Sequence, residues 1–257
     1  MTDVNERWQC IDTGAQPGSV NMQVDRDTVL KVQQGIVPQT LRVYAWEPWA
    51  ISLGYHQQES DIDTRRAAAD GIDVVRRPTG GRAILHAREV TYSVVMFSQG
   101  RGTQEIYRVI SEAIVTGLKK ICSSVEFELS QPNFSQLYRK AESIPCFSAS
   151  AKYEIQIHKK KLVGSAQHRY TSHHFPDVIL QHGSILLGDE HKQITKYIRN
   201  TDENVAGKMK SDLSTKTISL EEAMQRTVSY DEVVDVVKSG FEEAWNISFS
   251  HHVAEPA

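Results

Sequence analysis

Between residues 73 and 97 the chain cannot run as a helix. Pro78 fixes its own φ, lacks an N–H and pushes Arg77 into extended backbone. Gly80 and Gly81 follow at once, a pair that lets the backbone turn with φ > 0 or approach another group closely. The flanking runs are β-rich: Asp73-Val74-Val75-Arg76 on one side and Thr91 to Phe97 on the other, the second alternating as a buried strand does. A strand, a glycine loop and a strand follow, and strands need a sheet. A second glycine-bearing stretch, Lys161-Leu162-Val163-Gly164-Ser165-Ala166-Gln167, opens as the outgoing arm of a hairpin turning at His158-Lys159-Lys160, with Tyr153 to Ile157 as the incoming arm.

Elsewhere the strands are short. Arg42 to Trp46 and Ala50 to Gly54 read as strands around a turn at Glu47-Pro48, Val125 to Leu129 as another, and Val178 to Leu187 as a strand or strand pair. Helices are predicted over Asn21–Lys31, Asp61–Ala69 (closed by Gly71) and Thr103–Ile121, the last with Ile106, Val109, Ile110, Ala113, Ile114, Gly117 and Leu118 on one face. Gly117 therefore sits inside a helix, where alanine is expected to be tolerated or better. Gln131 to Ser148 has little periodicity and reads as a loop with a short helical piece. After Gly188 the texture turns to polar helices, with capping boxes at Ser219–Glu222 and Ser229–Glu232. The fold class is α+β, a mixed central β-sheet flanked by helices. Residues 1–188 form the candidate catalytic domain, and 189–257 a helical C-terminal segment packed on the same domain.

At 257 residues and 40 % hydrophobic content the chain can bury a sizeable core. A formal net charge of −3 gives no general attraction to nucleic acid or an anionic membrane. No apolar run approaches the ~20 residues that span a bilayer, and the acidic start, Met1-Thr2-Asp3, is not a signal peptide. Three cysteines, Cys10, Cys122 and Cys146, are an odd count at irregular spacing, which points to a reducing, cytoplasmic setting. His168, His173, His174 and His182 show no metal-ligand spacing, so no metal is expected.

On residues alone, Arg76-Arg77-Pro78-Thr79-Gly80-Gly81-Arg82 fits two readings. It can be a surface hairpin with solvated arginines, or a loop whose backbone meets a ligand and whose arginines receive an anion. Cys146, in Pro145-Cys146-Phe147, can be a packed thiol or a nucleophile.

The whole pattern resembles the lipoate–protein ligase, octanoyltransferase and biotin ligase superfamily. It is carried by the arginine–glycine loop with Ala83-Ile84-Leu85-His86 and Thr91-Tyr92-Ser93, then Pro-Cys-Phe, Tyr153-Glu154, Lys161 to Gln167, and Ile179-Leu180-Gln181-His182-Gly183-Ser184. Arg82, where the ligases usually have a third glycine, and Cys146 make it most similar to the cysteine-dependent octanoyltransferases. The family commonly has Asp after the histidine; here Ala87 stands there and Glu89 is the next acid. The resemblance implies a lipoate–biotin ligase-like fold and octanoyl transfer from acyl carrier protein to a lysine of a lipoyl domain, such as the glycine-cleavage H protein or a dehydrogenase E2. It implies Cys146 as the acyl-accepting nucleophile and Lys161 as the oxyanion donor. Arg76, Arg77, Thr79, Gly80, Gly81, Arg82, His86, Tyr92, Gly164, Ser165, Ala166, Gln167, His182 and Gly183 would bind substrate. No cofactor is implied, because the thioester is already activated. The alternatives are an ATP-dependent lipoate–protein ligase and an amidotransferase moving acyl groups between lipoyl domains. A non-catalytic lipoyl-domain or acyl-binding protein would have no reason to keep both Cys146 and Lys161.

Overall fold

The computed structural model describes residues 7–128, 154–199 and 203–249. The predicted Gln131–Ser148 loop, and Cys146 within it, lie outside the described residues. The strands, in chain order, are β1 (Trp8–Gln16), β2 (Gln39–Trp46), β3 (Ala50–Leu53), β4 (Asp73–Arg76), β5 (Ile84–His86), β6 (Glu89–Phe97), β7 (Val125–Glu128), β8 (Glu154–Ile157), β9 (Lys160–Tyr170) and β10 (Val178–Leu186). They form a seven-stranded sheet in the order β1-β2-β6-β10-β9-β8-β7 and a three-stranded sheet in the order β4-β3-β5. β1 pairs parallel with β2 across a helical crossover, α1 (Gly18–Gln33), and the rest of the large sheet is antiparallel. The sheet is thus mixed, as expected for this α+β class.

Most predicted elements are present. Two strands were not anticipated. β1 lacks alternation and carries Gly14, and its register slips between Asp12 and Ala15. β5 is three residues long, too short to leave a periodic signal. Val178 onward is one strand, and the β8–β9 turn is His158-Lys159 alone, both with φ > 0. The two capping boxes form: Ser219 accepts from the Glu222 N–H, opening α5 (Leu220–Met224), and Ser229 from that of Glu232, opening α6 (Tyr230–Trp245). Preceding them are α2 (Thr64–Ala69), α3 (Thr103–Leu118) and α4 (Glu203–Lys216).

Strands β6 and β10 are buried along their whole length, so both faces of the sheet are covered. Period-two alternation divides their residues. Leu41, Val43, Val90, Tyr92, Val94, Met96, Ile179 and Ile185 join Ile106, Ile110 and Ile114 of α3 and Val233, Val237 and Phe241 of α6 in one apolar core. The C-terminal segment therefore shares the main core. Arg42, Tyr44, Trp46, Glu89, Thr91, Ser93, His182 and Ser184 point the other way, and they too are buried. Helix α1 and the small sheet cover them.

The expectation for Gly117 fails here. A Cβ on Gly117 would overlap the Val236 carbonyl, and one on Gly240 would meet the Gly117 backbone. Helices α3 and α6 cross backbone to backbone at this glycine pair, and a substitution that helix propensity favours is opposed by packing. Among the described residues, no helix is long and apolar enough to cross a membrane.

Candidate functional site

The glycine loop is tied down by the arginines that precede it. Arg76 Nη1 donates to the carbonyls of Gly54, Tyr55 and Gln57 at 2.7–3.1 Å. Arg77 is buried and donates to the Ser52 carbonyl (2.9 Å), the Ser52 hydroxyl (3.0 Å) and the carbonyls of Gly80 and Arg82. On these contacts both guanidiniums hold loop carbonyls, a scaffolding role. Gly81 has φ +94°, the left-handed backbone expected of it, and Gly54 lies so close that a Cβ there would overlap the Gly81 carbonyl.

Beside this loop lies a small, partly open cleft. Met22, Tyr44, Trp46 and Ile84 give it apolar walls; Gly164, Ser165, Ala166 and Gly183 form a stretch of lining where two central strands run side by side. Gly183 must be glycine, because a Cβ would sit 2.7 Å from the Gly164 carbonyl and from Ser165 Oγ. Arg77, Ser52, Thr91, Ser184, His86 and His182 supply the polar lining. An apolar pocket with a few convergent polar groups is the usual form of a small-molecule site.

Both histidines sit in chains of one pattern, carboxylate–imidazole–hydroxyl. In the first, Asp25 meets His182 Nδ1 at 3.1 Å and His182 Nε2 meets Thr79 Oγ1 at 2.6 Å. Asp25 also accepts from Arg42 Nη1 (2.8 Å), Ser93 (2.9 Å) and Tyr44 (3.2 Å). Burial opposes the charged form of Asp25, but the hydrogen bond from His182, the Arg42 guanidinium and the Ser93 hydroxyl outweigh it and hold the carboxyl below its usual range. Burial pushes His182 below its ordinary value, against the pull of Asp25. The two directions agree on one state: an ionised Asp25 and a neutral His182 that donates from Nδ1 and accepts the Thr79 proton at Nε2. In the second chain, Glu89 Oε1 meets His86 Nδ1 at 2.8 Å and His86 Nε2 meets Ser52 Oγ at 2.7 Å. Thr91 and Ser184 donate to the same Glu89 oxygen, and the Trp46 ring stacks on His86 at 4.0 Å.

The structure gathers Arg77, His86, Gly164, Ser165, Ala166, His182 and Gly183 on the cleft. Thr79 joins through His182, and Gly80 through its carbonyl to Arg77. Tyr92 points to the apolar face and reaches the cleft only through its hydroxyl, which bonds Ser165 at 2.7 Å; Gln167 joins it by way of Gln181. Gly81 and Arg82 line a neighbouring hollow with His56 and Gln57. Lys161 is buried, with Nζ 3.2 Å from Glu154, and is not among the described residues lining the cleft. Cys122 is buried in the core beside Ser124, and burial pushes the Cys10 thiol up to about 11. Among the described residues no group of three or more His, Cys, Asp or Glu could hold a metal.

Met22, Asp25, Arg42, Tyr44, Ser52, Thr91 and Ser184 were not anticipated. A signal existed. Asn21, Asp25 and Thr28 lie at helical spacing on α1 and Arg42, Tyr44 and Trp46 at strand spacing on β2, the pattern of solvent-facing stripes; all are buried against each other.

Residues 17–242 match the family model for the lipoyl protein ligase A/B catalytic domain. The octanoyltransferase LipM of Kyrpidia tusciae is 37 % identical over 244 residues, covering 93 % of this chain and 87 % of that protein. LipM of Exiguobacterium sibiricum is 37 % identical over 249 residues, covering 94 % and 88 %. Among solved structures, the bi-partite lipoate protein ligase of Thermoplasma acidophilum, determined in a study that included its E2 lipoyl domain, superposes with a TM-score of 0.71 at 21 % identity, covering 96 % of this chain and 86 % of that one. A lipoate-protein ligase A bound with ATP gives 0.70 at 21 % identity, covering 96 % and 87 %. These likenesses show the expected fold.

Proposed function

Because the chain belongs to the lipoyl protein ligase A/B catalytic-domain family, we propose that it moves an octanoyl group from an acyl carrier protein thioester to a lysine of a lipoyl domain, through an acyl-cysteine at Cys146. It is an octanoyltransferase of lipoate biosynthesis and thus an acyltransferase. The observation that carries the proposed route is that octanoyltransferases match it over more than nine-tenths of its length. The cleft suits the acyl chain. Its walls of Met22, Tyr44, Trp46 and Ile84 can take methylenes out of water at about 0.8 kcal/mol each. Cys146 is the candidate nucleophile on the resemblance to the cysteine-dependent octanoyltransferases; burial disfavours the thiolate of Cys10, and Cys122 packs in the core. Lys161 would place its ammonium at the developing oxyanion, with Glu154 aiming it. An odd number of irregularly spaced cysteines supports a cytoplasmic setting for this chemistry.

Incubation with octanoyl-carrier protein and no ATP tests the reading. The protein should gain one octanoyl mass, mapped to Cys146 and cleaved by hydroxylamine. Cys146→Ala should abolish both adduct and transfer, while Cys10→Ala and Cys122→Ala should not. Lys161→Ala should lower transfer by about 10²–10³-fold in a folded protein. A Cys146→Ala protein that modifies a lipoyl domain only with ATP and a free acid would establish the ligase reading instead. Faster acylation by an octanoylated lipoyl domain than by the carrier protein would establish the amidotransferase.

A further inference from the structure

The two carboxylate–imidazole–hydroxyl chains differ in charge and in access. Asp25 is matched by Arg42 at 2.8 Å, and Thr79, at the far end of its chain, is not among the described residues lining the cleft. For Glu89, the ion-pair partner among the described residues is His86 itself, and both His86 and Ser52 line the cleft. Glu89 Oε2 is buried and has no hydrogen-bond partner among the described residues, so this side chain can still gain from a donor or a cation beside it. Ser52 Oγ accepts from Arg77 and lies 2.7 Å from His86 Nε2. With His86 Nδ1–H given to Glu89, Ser52 must be the donor to Nε2. A hydroxyl has one donor and two acceptor positions, so one acceptor position on Ser52 is left for a group in the cleft.

We propose that Ser52, His86 and Glu89 form the proton sink for the acceptor amine, a role that rests on the acyl-enzyme route above. A lysine with its usual pKa of about 10.4 arrives as an ammonium and has no lone pair with which to attack. Its N–H proton passes to Ser52 Oγ while the Ser52 proton passes to His86 Nε2. The imidazolium so formed completes an ion pair with Glu89, whose other donors, Thr91 and Ser184, are already in place. The amine lone pair then forms the C–N bond of the amide, and the C–S bond breaks with its electrons on sulfur. The second nitrogen proton ends on that sulfur, and His86 returns its proton to water. Ammonium and thioester become amide, thiol and one released proton. Arg77, donating to Ser52 and to the Ser52 carbonyl, keeps the hydroxyl at its station.

The test separates the two half-reactions. Wild type, Ser52→Ala and Glu89→Gln, each checked for an unchanged melting transition, are acylated with octanoyl-carrier protein and then discharged to a lipoyl-domain lysine or to hydroxylamine. Hydroxylamine is largely neutral at neutral pH and needs no base before it attacks. In both variants the rate of discharge to lysine relative to that to hydroxylamine, measured on the same acyl-enzyme, should fall about 10²-fold, whatever change each makes to acylation itself. Equal slowing with both nucleophiles, or lysine discharge at the wild-type rate in either variant, overturns the relay. A wild-type protein that never gains the octanoyl mass sinks the acyl-enzyme route and the relay with it. Normal wild-type acylation with normally discharging variants sinks the relay alone.

Discussion

The two faces of β2, β6 and β10 come from alternate residues of the same strands, yet they are held together by different physics. Toward α3 and α6 the sheet presents aliphatic and aromatic side chains, with the Tyr92 hydroxyl as a polar exception, and stability there is burial and close packing. Toward α1 and the small sheet it presents Arg42, Glu89, Thr91, Ser93, His182 and Ser184, equally sealed from water. Buried polar groups are costly unless bonded, and here nearly all of them are. The difference assigns the labour: the apolar face makes the protein stable, and the polar face, bearing the cleft, holds the chemistry in place. It also predicts different failures. Packing faults should injure the first face and unpaired charges the second.

The largest effect should come from the polar face. Asp25→Ala leaves the Arg42 guanidinium buried without its counter-ion, and breaking a buried pair from one side costs about 3–5 kcal/mol. Chemical denaturation should show it. Glu89→Gln, which strands no cation, should cost far less. Comparable losses in the two variants would erase the distinction between the two relays.

Acid should probe the same layer. His191, on the 3-10 segment Glu190–Tyr197 that packs against β5, is buried and bonded to Thr217; burial and the neighbouring Lys192 push it from 6.5 to about 4. The unfolded chain then binds this proton more readily than the folded one. His191's contribution is complete above the unfolded value and declines as pH falls from about 6.5 to about 4, by roughly 3 kcal/mol in all. Unfolding free energies measured across that window should be less steep in His191→Gln. An unchanged slope would remove His191 from the acid response.

The apolar face should fail by overpacking. Gly117→Ala, which a helix-propensity argument favours, must push α3 off α6 and should cost about 2 kcal/mol. Transfer by the surviving folded protein should be normal, because the change is on the far side of the sheet from the cleft. A neutral or stabilising result would show that the helix crossing yields easily.

Periodicity explains which of this was legible. The α3 stripe, the β6 alternation, the two capping boxes and the glycine loop are local patterns, and each appears in the structure. The cleft histidines and Gly183 were reached through motif context. Of the partners that make those histidines useful, Glu89 was noted only as the next acid after His86, and Asp25, Arg42 and Ser52 were not reached, because they lie far from the histidines in the chain and their burial is set by how α1 and the small sheet close over the strands. Polar residues at period two or at helical spacing look like solvent faces until a second layer is known to cover them. The Gly117 expectation failed for the same reason: the glycine was judged by its own helix, while its constraint is the Val236 carbonyl of another.

The smallest effect belongs to neither face. The β8–β9 hairpin turns on His158 and Lys159 with φ of 50° and 62°, left-handed backbone at two consecutive residues that carry side chains. Two-residue turns of this kind favour Asn-Gly, because asparagine tolerates and glycine freely adopts positive φ. Left-handed backbone costs an ordinary residue about 1–2 kcal/mol, and the entropy glycine loses on folding offsets part of the gain. Exchanging His158-Lys159 for Asn-Gly should therefore stabilise by about 1 kcal/mol and raise Tm by roughly 2–4 °C. Transfer should be unchanged, since both flanking strands keep their register and Lys161 keeps its place beside Glu154. A loss of transfer with a gain in Tm would mean that the strained turn sets the position of the Lys161 ammonium, and the site would then extend past the polar face to the end of the sheet.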